Sequence, residues 1–151
     1  MELEDLYQEI ILDHYRSPRN HSDVLDRGKC VKHENPLCGD ELYLKVDVDE
    51  AGGKIANICF SGHGCSISQA SASMMTEAVK GLDKDKALEI SEKVRRLMRG
   101  EAPAENLGDI EALQGVSKFP VRVKCALLAW MALRDALTNG KGQTEKKDEC
   151  N

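Results

Sequence analysis

The chain is written in two alternating periods. Over LEDLYQEIILDHYRSP, Leu3, Leu6, Tyr7, Ile10, Ile11 and His14 recur at spacings of three and four, the stripe of an amphipathic helix that Pro18 brings to an end. The segment from Cys30 to Asn35 reads as a short strand. In DELYLKVDVDE, Leu42, Leu44, Val46 and Val48 alternate with polar residues, the period of a strand with one buried face. AGGK then turns the chain and IANICFSG returns as the partner strand, so a small antiparallel meander is predicted. The period next lengthens. After the glycine-rich GHGC, Ile67, Ala70, Met74 and Ala78 settle into helical spacing, which starts a helix close to Cys65. DKDKALEISEKVRRLMRG is a second, highly charged helix with Ala87, Ile90, Val94 and Leu97 on its inner stripe. EAPAENLGD is a polar connection, followed by a short helical piece around IEALQGV. PVRVKCALLAWMALRDALTNG opens with Pro120, acceptable in a first helical turn, and is nearly continuously apolar from Ala126 to Leu133, which predicts a central buried helix. The tail KGQTEKKDECN has no apolar stretch to bury and is expected to be disordered. There is no internal repeat.

Composition narrows this picture. A chain of 151 residues is enough for one domain with a real core and too little for two; the domain is expected over 1–140 and the tail over 141–151. Lys and Arg number 21 against 26 Asp and Glu, a net charge of −5, and no basic run forms a phosphate-binding face, which argues against nucleic acid as a partner. The N-terminus carries acidic residues where a signal peptide needs basic ones, and no apolar run approaches the ~20 residues of a membrane span. A cytoplasmic protein is expected. In a reducing compartment its six cysteines are metal ligands, reactive thiols or small core residues rather than disulfides.

The candidate chemistry starts at PLCGD, residues 36–40. Cys38 and Asp40 are separated only by Gly39, and two anionic groups held that close repel unless a cation sits between them. Cys65 stands where a glycine-rich loop enters a helix, and Cys125 near the start of the last helix. A helix N-terminus favours the thiolate needed for metal binding or nucleophilic attack. With Asp40 the three cysteines make a set of three sulfurs and one oxygen, the number of ligands that tetrahedral Zn2+ takes. The spacing is not that of a zinc finger, so by spacing alone three small core cysteines is the plainer reading. Cys30 and Cys59, in strands, read as small or half-buried packing residues, and Cys150 as an idle thiol in the tail. His14 lies on the apolar stripe and reads as a packed side chain; His21 and His33 read as surface residues. His63, between two glycines and next but one to Cys65, is the histidine placed to support a ligand from behind. Arg122 and Lys124 flank the last helix's first turn near Cys125, where they stabilise an anionic site or contact a partner, unless they are simply solvated charges.

The stretches LYQEIILDHYRSPRN, NPLCGDEL, GHGCSISQASASMMTEAVKG and VSKFPVRVKCALLAW resemble the U-type iron–sulfur cluster assembly proteins, and within them the SufU branch, over residues from about Glu2 to Thr138. The resemblance implies a compact α+β fold, a small antiparallel sheet of about three strands covered by helices. It also implies that Cys38, Asp40, Cys65 and Cys125 form one metal site. Scaffold-type members carry a histidine immediately before the third cysteine; here that residue is Lys124, whose ammonium has no lone pair to offer. The extra helical segment from roughly Leu82 to Gly100 is likewise shared with SufU-like proteins. Both departures shift the expectation from a scaffold holding a transient [2Fe-2S] cluster to zinc-dependent sulfur transfer.

The chemistry so implied runs as follows. Zinc keeps thiols deprotonated and shields them from oxidation, so one cysteine must leave the metal before it can attack. By resemblance the donor is a pyridoxal-phosphate cysteine desulfurase of the SufS type, which makes the persulfide and lends a histidine to the zinc. Cys38 is the expected acceptor, because its loop can move beside Gly39 without breaking a helix, while Cys65 and Cys125 stay as ligands. Sulfur would pass on to a SufBCD-type scaffold or a low-molecular-weight thiol. Two other classes stand beside this one: an iron–sulfur scaffold, and a zinc-stabilised interaction module with no chemistry of its own.

Overall fold

The computed structural model describes residues 2–26, 28, 30–102 and 107–139. The period-two segments pair as expected. Strands β1 (Val31–Asn35), β2 (Asp40–Val48) and β3 (Ile55–His63) form one antiparallel sheet in the order β1-β2-β3. Leu42, Leu44 and Val46 of β2 are all within 1% of complete burial, because a period of two sends alternate side chains to the same face. Asn35 at the end of β1 lies opposite Asp40 at the start of β2. That register leaves only Pro36 to Gly39 to turn the chain, so Cys38 is carried on a four-residue hairpin loop.

The described residues form four α-helices, α1 (Leu3–Arg16), α2 (Ser66–Val79), α3 (Lys84–Met98) and α4 (Pro120–Asn139), of which α2 and α4 lie on the sheet. Helix α4 packs on β1 and β2, and α2 packs on α1 and α4, with Trp130 of α4 only 1% exposed between them. Helix α2 is the most enclosed, although it is rich in serine. Its small side chains allow neighbouring helices to approach, and its hydroxyls have partners: Ser71 Oγ donates to Ala126 O at 2.6 Å and accepts from Trp130 Nε1 at 3.1 Å. A buried hydroxyl so satisfied costs little. No helix of the described residues is long and apolar enough to cross a membrane.

Several details differ from the sequence reading. The short helical piece is an 11-residue 3-10 segment, Gly108–Lys118. Ile110, Leu113 and Val116 are all buried at a spacing of three, and three residues per turn is the period that keeps them on one side. The stripe of α1 is seated only in its second half, with Ile11 and His14 buried while Leu3 and Leu6 stay exposed. Cys30 precedes the first strand instead of belonging to it, its Sγ donating to Asp26 O at 3.4 Å. The tail expected from 141 to 151, with Cys150, lies outside the described residues.

Candidate metal centre

The centre is assembled where the β1–β2 loop, the entry to α2 and the second turn of α4 meet. Cys38 N donates to Asn35 O at 3.2 Å to close the loop, and Gly39 takes a φ of 69°, a left-handed conformation that glycine adopts without a steric penalty. Cys38 is half-buried. Asp40 is 2% exposed and its two oxygens differ. Oδ1 accepts from Cys65 N at 2.9 Å and from Ser68 Oγ at 3.1 Å, whereas Oδ2 is buried with no hydrogen-bond partner. A carboxylate oxygen buried without a partner is costly. Gly64 permits this arrangement, because a Cβ there would collide with Asp40 Oδ1 and come within 2.6 Å of Ser68 Oγ.

Cys65 caps α2 in an extended conformation, its Sγ accepting from Ser68 N at 3.5 Å. Cys125 is fully buried; its Sγ accepts from Asn35 Nδ2 at 3.6 Å and donates to Val121 O at 3.7 Å. One ligand atom each from Cys38, Asp40 and Cys125 lies within 4.8 Å of the other two. Cys65 stands outside that set, although it is among the neighbours that raise the Cys125 thiol's pKa.

The electrostatics correct one expectation. Cys125 is not at the helix start but six residues into α4, beyond the help of the helix N-terminus. Burial pushes its thiol far above the usual thiol range, and the neighbouring Cys38, Asp40 and Cys65 raise it further. Without a cation the cluster therefore keeps a proton on its most buried sulfur. Arg122 bears on this charge: Cys65 foremost, and Cys125 with it, hold the guanidinium's proton more tightly through charge and hydrogen bonding. Lys124 is exposed and makes no hydrogen bond or ion pair among the described residues.

The histidines fall elsewhere. His63 is 72% exposed and lies 3.7 Å from Glu41, its partner across the sheet, so it supports no ligand. His14 is buried as read, between Ser73 Oγ at 2.7 Å and Asp109 Oδ2 at 2.8 Å. His21 and His33 are half-buried, not surface residues: one meets the Phe60 ring edge-on and the other lies 3.3 Å from Asp135 Oδ2. Cys59 is fully enclosed in β3. Sequence reasoning passed over three residues that shape the centre, Asn35, Gly64 and Ser68. Ser68 had a signal, a hydroxyl three residues beyond the first capping position; Asn35 before Pro36 looked only like a turn.

Thiols and one carboxylate oxygen are a donor set suited to a soft or borderline tetrahedral cation, and the unpartnered Oδ2 is where such a cation would be satisfied. The sequence pattern of the NifU-like N terminal domain family matches residues 6–146. The chain belongs to that family. Among its relatives is the zinc-dependent sulfurtransferase SufU of Bacillus subtilis (strain 168), 47% identical over 93% of this chain and 95% of that one. Another is the iron–sulfur cluster assembly scaffold protein IscU of Streptococcus pyogenes serotype M1, 42% identical over 97% and 92%. A crystal structure from Fervidobacterium islandicum AW-1, named as a candidate iron–sulfur cluster assembly scaffold for the SUF system, superposes with a TM-score of 0.79 at 37% identity, covering 91% of this chain and 100% of that one. The family carries both zinc-dependent and scaffold members, so its name alone does not divide the two activities.

Proposed function

We propose that the protein is a zinc-dependent sulfurtransferase that accepts persulfide sulfur from a pyridoxal-phosphate cysteine desulfurase of the SufS type and relays it into iron–sulfur cluster assembly. The observation that carries the reading is the buried, unpartnered Asp40 Oδ2 set among thiols, with Lys124 exposed at the position where a scaffold would place a histidine ligand. Cys38, Asp40, Cys65 and Cys125 would hold the ion. Bound zinc supplies charge that keeps these thiols ionised.

The chain's own residues supply the rest. Cys38, on its hairpin loop, is the sulfur that can move; Cys65 and Cys125 are fixed in helices. Cys38 thiolate attacks the outer sulfur of the donor's persulfide, forming one S–S bond as the donor's S–S bond breaks. The donor cysteine leaves as a thiolate, and the outer sulfur keeps its proton. No net oxidation occurs. Arg122 balances the negative charge of the two sulfurs that remain. The downstream acceptor is a SufBCD-type scaffold or a low-molecular-weight thiol.

The test is mass spectrometry of the zinc-loaded protein after incubation with a SufS-type desulfurase and cysteine. The Cys38 peptide should gain the mass of one sulfur atom. Sulfur on Cys65 or Cys125 instead would move the acceptor. Protein purified with iron, sulfide and visible colour in place of zinc would make the chain a cluster scaffold.

A further inference from the structure

The three sulfurs of the centre are not supported alike. Cys65 Sγ accepts from Ser68 N at 3.5 Å, and Cys125 Sγ accepts from Asn35 Nδ2 at 3.6 Å. Among the described residues no N–H reaches Cys38 Sγ, which has only Asp40 and Cys125 beside it in the ligand set. An N–H donor withdraws charge from a thiolate and fixes its orientation, and hydrogen bonds to a charged group are stronger than neutral ones. A thiolate so bonded is a steadier metal ligand and a poorer nucleophile than one without.

We propose that Asn35 is a positioning residue that assigns roles within the ligand set: its amide, with the Ser68 N–H, retains Cys125 and Cys65 on the metal and leaves Cys38 as the sulfur that departs and attacks. Asn35 is built for this. It is 7% exposed and fixed in the ladder opposite Asp40. Its backbone oxygen accepts from Cys38 N at 3.2 Å while its side chain donates to Cys125. One residue thus anchors the base of the mobile loop and holds a sulfur that must not leave. Because the amide is buried and tied to the strand, it cannot follow Cys38 when that loop moves. The proposal rests on the zinc sulfurtransferase reading and adds the reason that one of three thiols is chosen.

The first test is NMR of the wild-type protein loaded with NMR-active cadmium. Scalar coupling through N–H···S bonds is expected between the metal and two donors, the Asn35 side-chain amide and the Ser68 N–H. One cadmium bound without coupling to Asn35 overturns the proposal while leaving the metal site intact. Failure to bind cadmium through these cysteines overturns the metal reading itself, and the proposal with it. The second test is site-resolved alkylation of the zinc-loaded protein by iodoacetamide. In the wild type Cys38 should react before Cys65 and Cys125. Asn35→Leu keeps the side-chain volume and removes the donor; Cys125 should then react about tenfold faster, the size of one hydrogen bond to a charged sulfur, with Cys38 little changed. An unchanged Cys125, or equal gains at both cysteines, overturns the proposal.

Discussion

At the scale of single residues, Cys38 and Asp40 lie two positions apart, and the proposed function gives them separable work. Cys38→Ser should abolish persulfide formation at this position, since a hydroxyl neither attacks sulfur comparably nor carries it. Asp40→Ala should instead weaken zinc binding, because it removes the unpartnered Oδ2 together with the acceptor that holds Cys65 N and Ser68 Oγ. With zinc in excess, Cys38 of that variant should still take sulfur. Persulfide mass and zinc content measured on both variants separate the roles; a Cys38→Ser protein that still accepts sulfur would remove Cys38 from the mechanism. Gly64→Ala tests the same network from behind. The added methyl group meets Asp40 Oδ1 and Ser68 Oγ, and overpacking of this kind costs roughly 1–3 kcal/mol. Calorimetry should show the loss, with zinc binding weakened alongside it. An unchanged Tm and zinc affinity would mean that Asp40 can shift freely.

At the scale of elements, the seam that seats α1 is polar. His14 is 2% exposed between Ser73 of α2 and Asp109 of the 3-10 segment, and Ser73 Oγ also accepts from Arg19 N at 2.8 Å. His14→Leu takes from the buried Ser73 hydroxyl one of its two partners, the other being Arg19 N, a loss of about 0.5–1.5 kcal/mol. The melting temperature should fall and the zinc content should not, because none of the four candidate ligands touches this seam. Loss of zinc would show that α1 braces the centre. The seam also shows what sequence can and cannot disclose. The meander and the helices were legible because Leu42, Leu44 and Val46, or Ala87, Val94 and Leu97, repeat at the period of their element. His14 was legible as a packed residue for the same reason. Its partners were not, since Ser73 and Asp109 lie 59 and 95 positions away and no local period encodes such a contact. Asn35 was hidden likewise, 90 positions from Cys125. The start of α4 at Pro120 was legible, and Cys125, five positions further on, already lies past the first turn. His63 was misread because its neighbours in sequence are near the cysteines while its strand turns its ring to Glu41 and solvent.

At the scale of the whole molecule, the centre joins segments that are far apart in the sequence: the β1–β2 hairpin, the cap of α2 and the second turn of α4. A metal bound there is bound to the folded chain alone, so its affinity adds to folding stability. Free metal at about 100 times Kd contributes about 2.7 kcal/mol, and at roughly 2–4 °C per kcal/mol for a chain of this size chelation should lower Tm by roughly 5–11 °C. The pH dependence should then differ in sign between the two forms. In the metal-free protein the Cys125 thiol is held protonated, its pKa raised above the ordinary value of 9.0 by burial first and then by its neighbours Cys38, Asp40 and Cys65. Such a group contributes stability that is fully present below the unfolded value and is lost as pH rises toward the folded one. Metal-free protein should therefore lose stability above about pH 9. If zinc is bound as proposed, Cys125 is held as a thiolate, so protons compete with the metal and stability should fall toward acid instead. Urea midpoints measured across this range, with and without chelator, give the two slopes. A metal-free midpoint that stays level from neutral pH through 10 would mean that the Cys125 proton is not held by the fold, and the case for a cation as the cluster's missing charge would lose its electrostatic support.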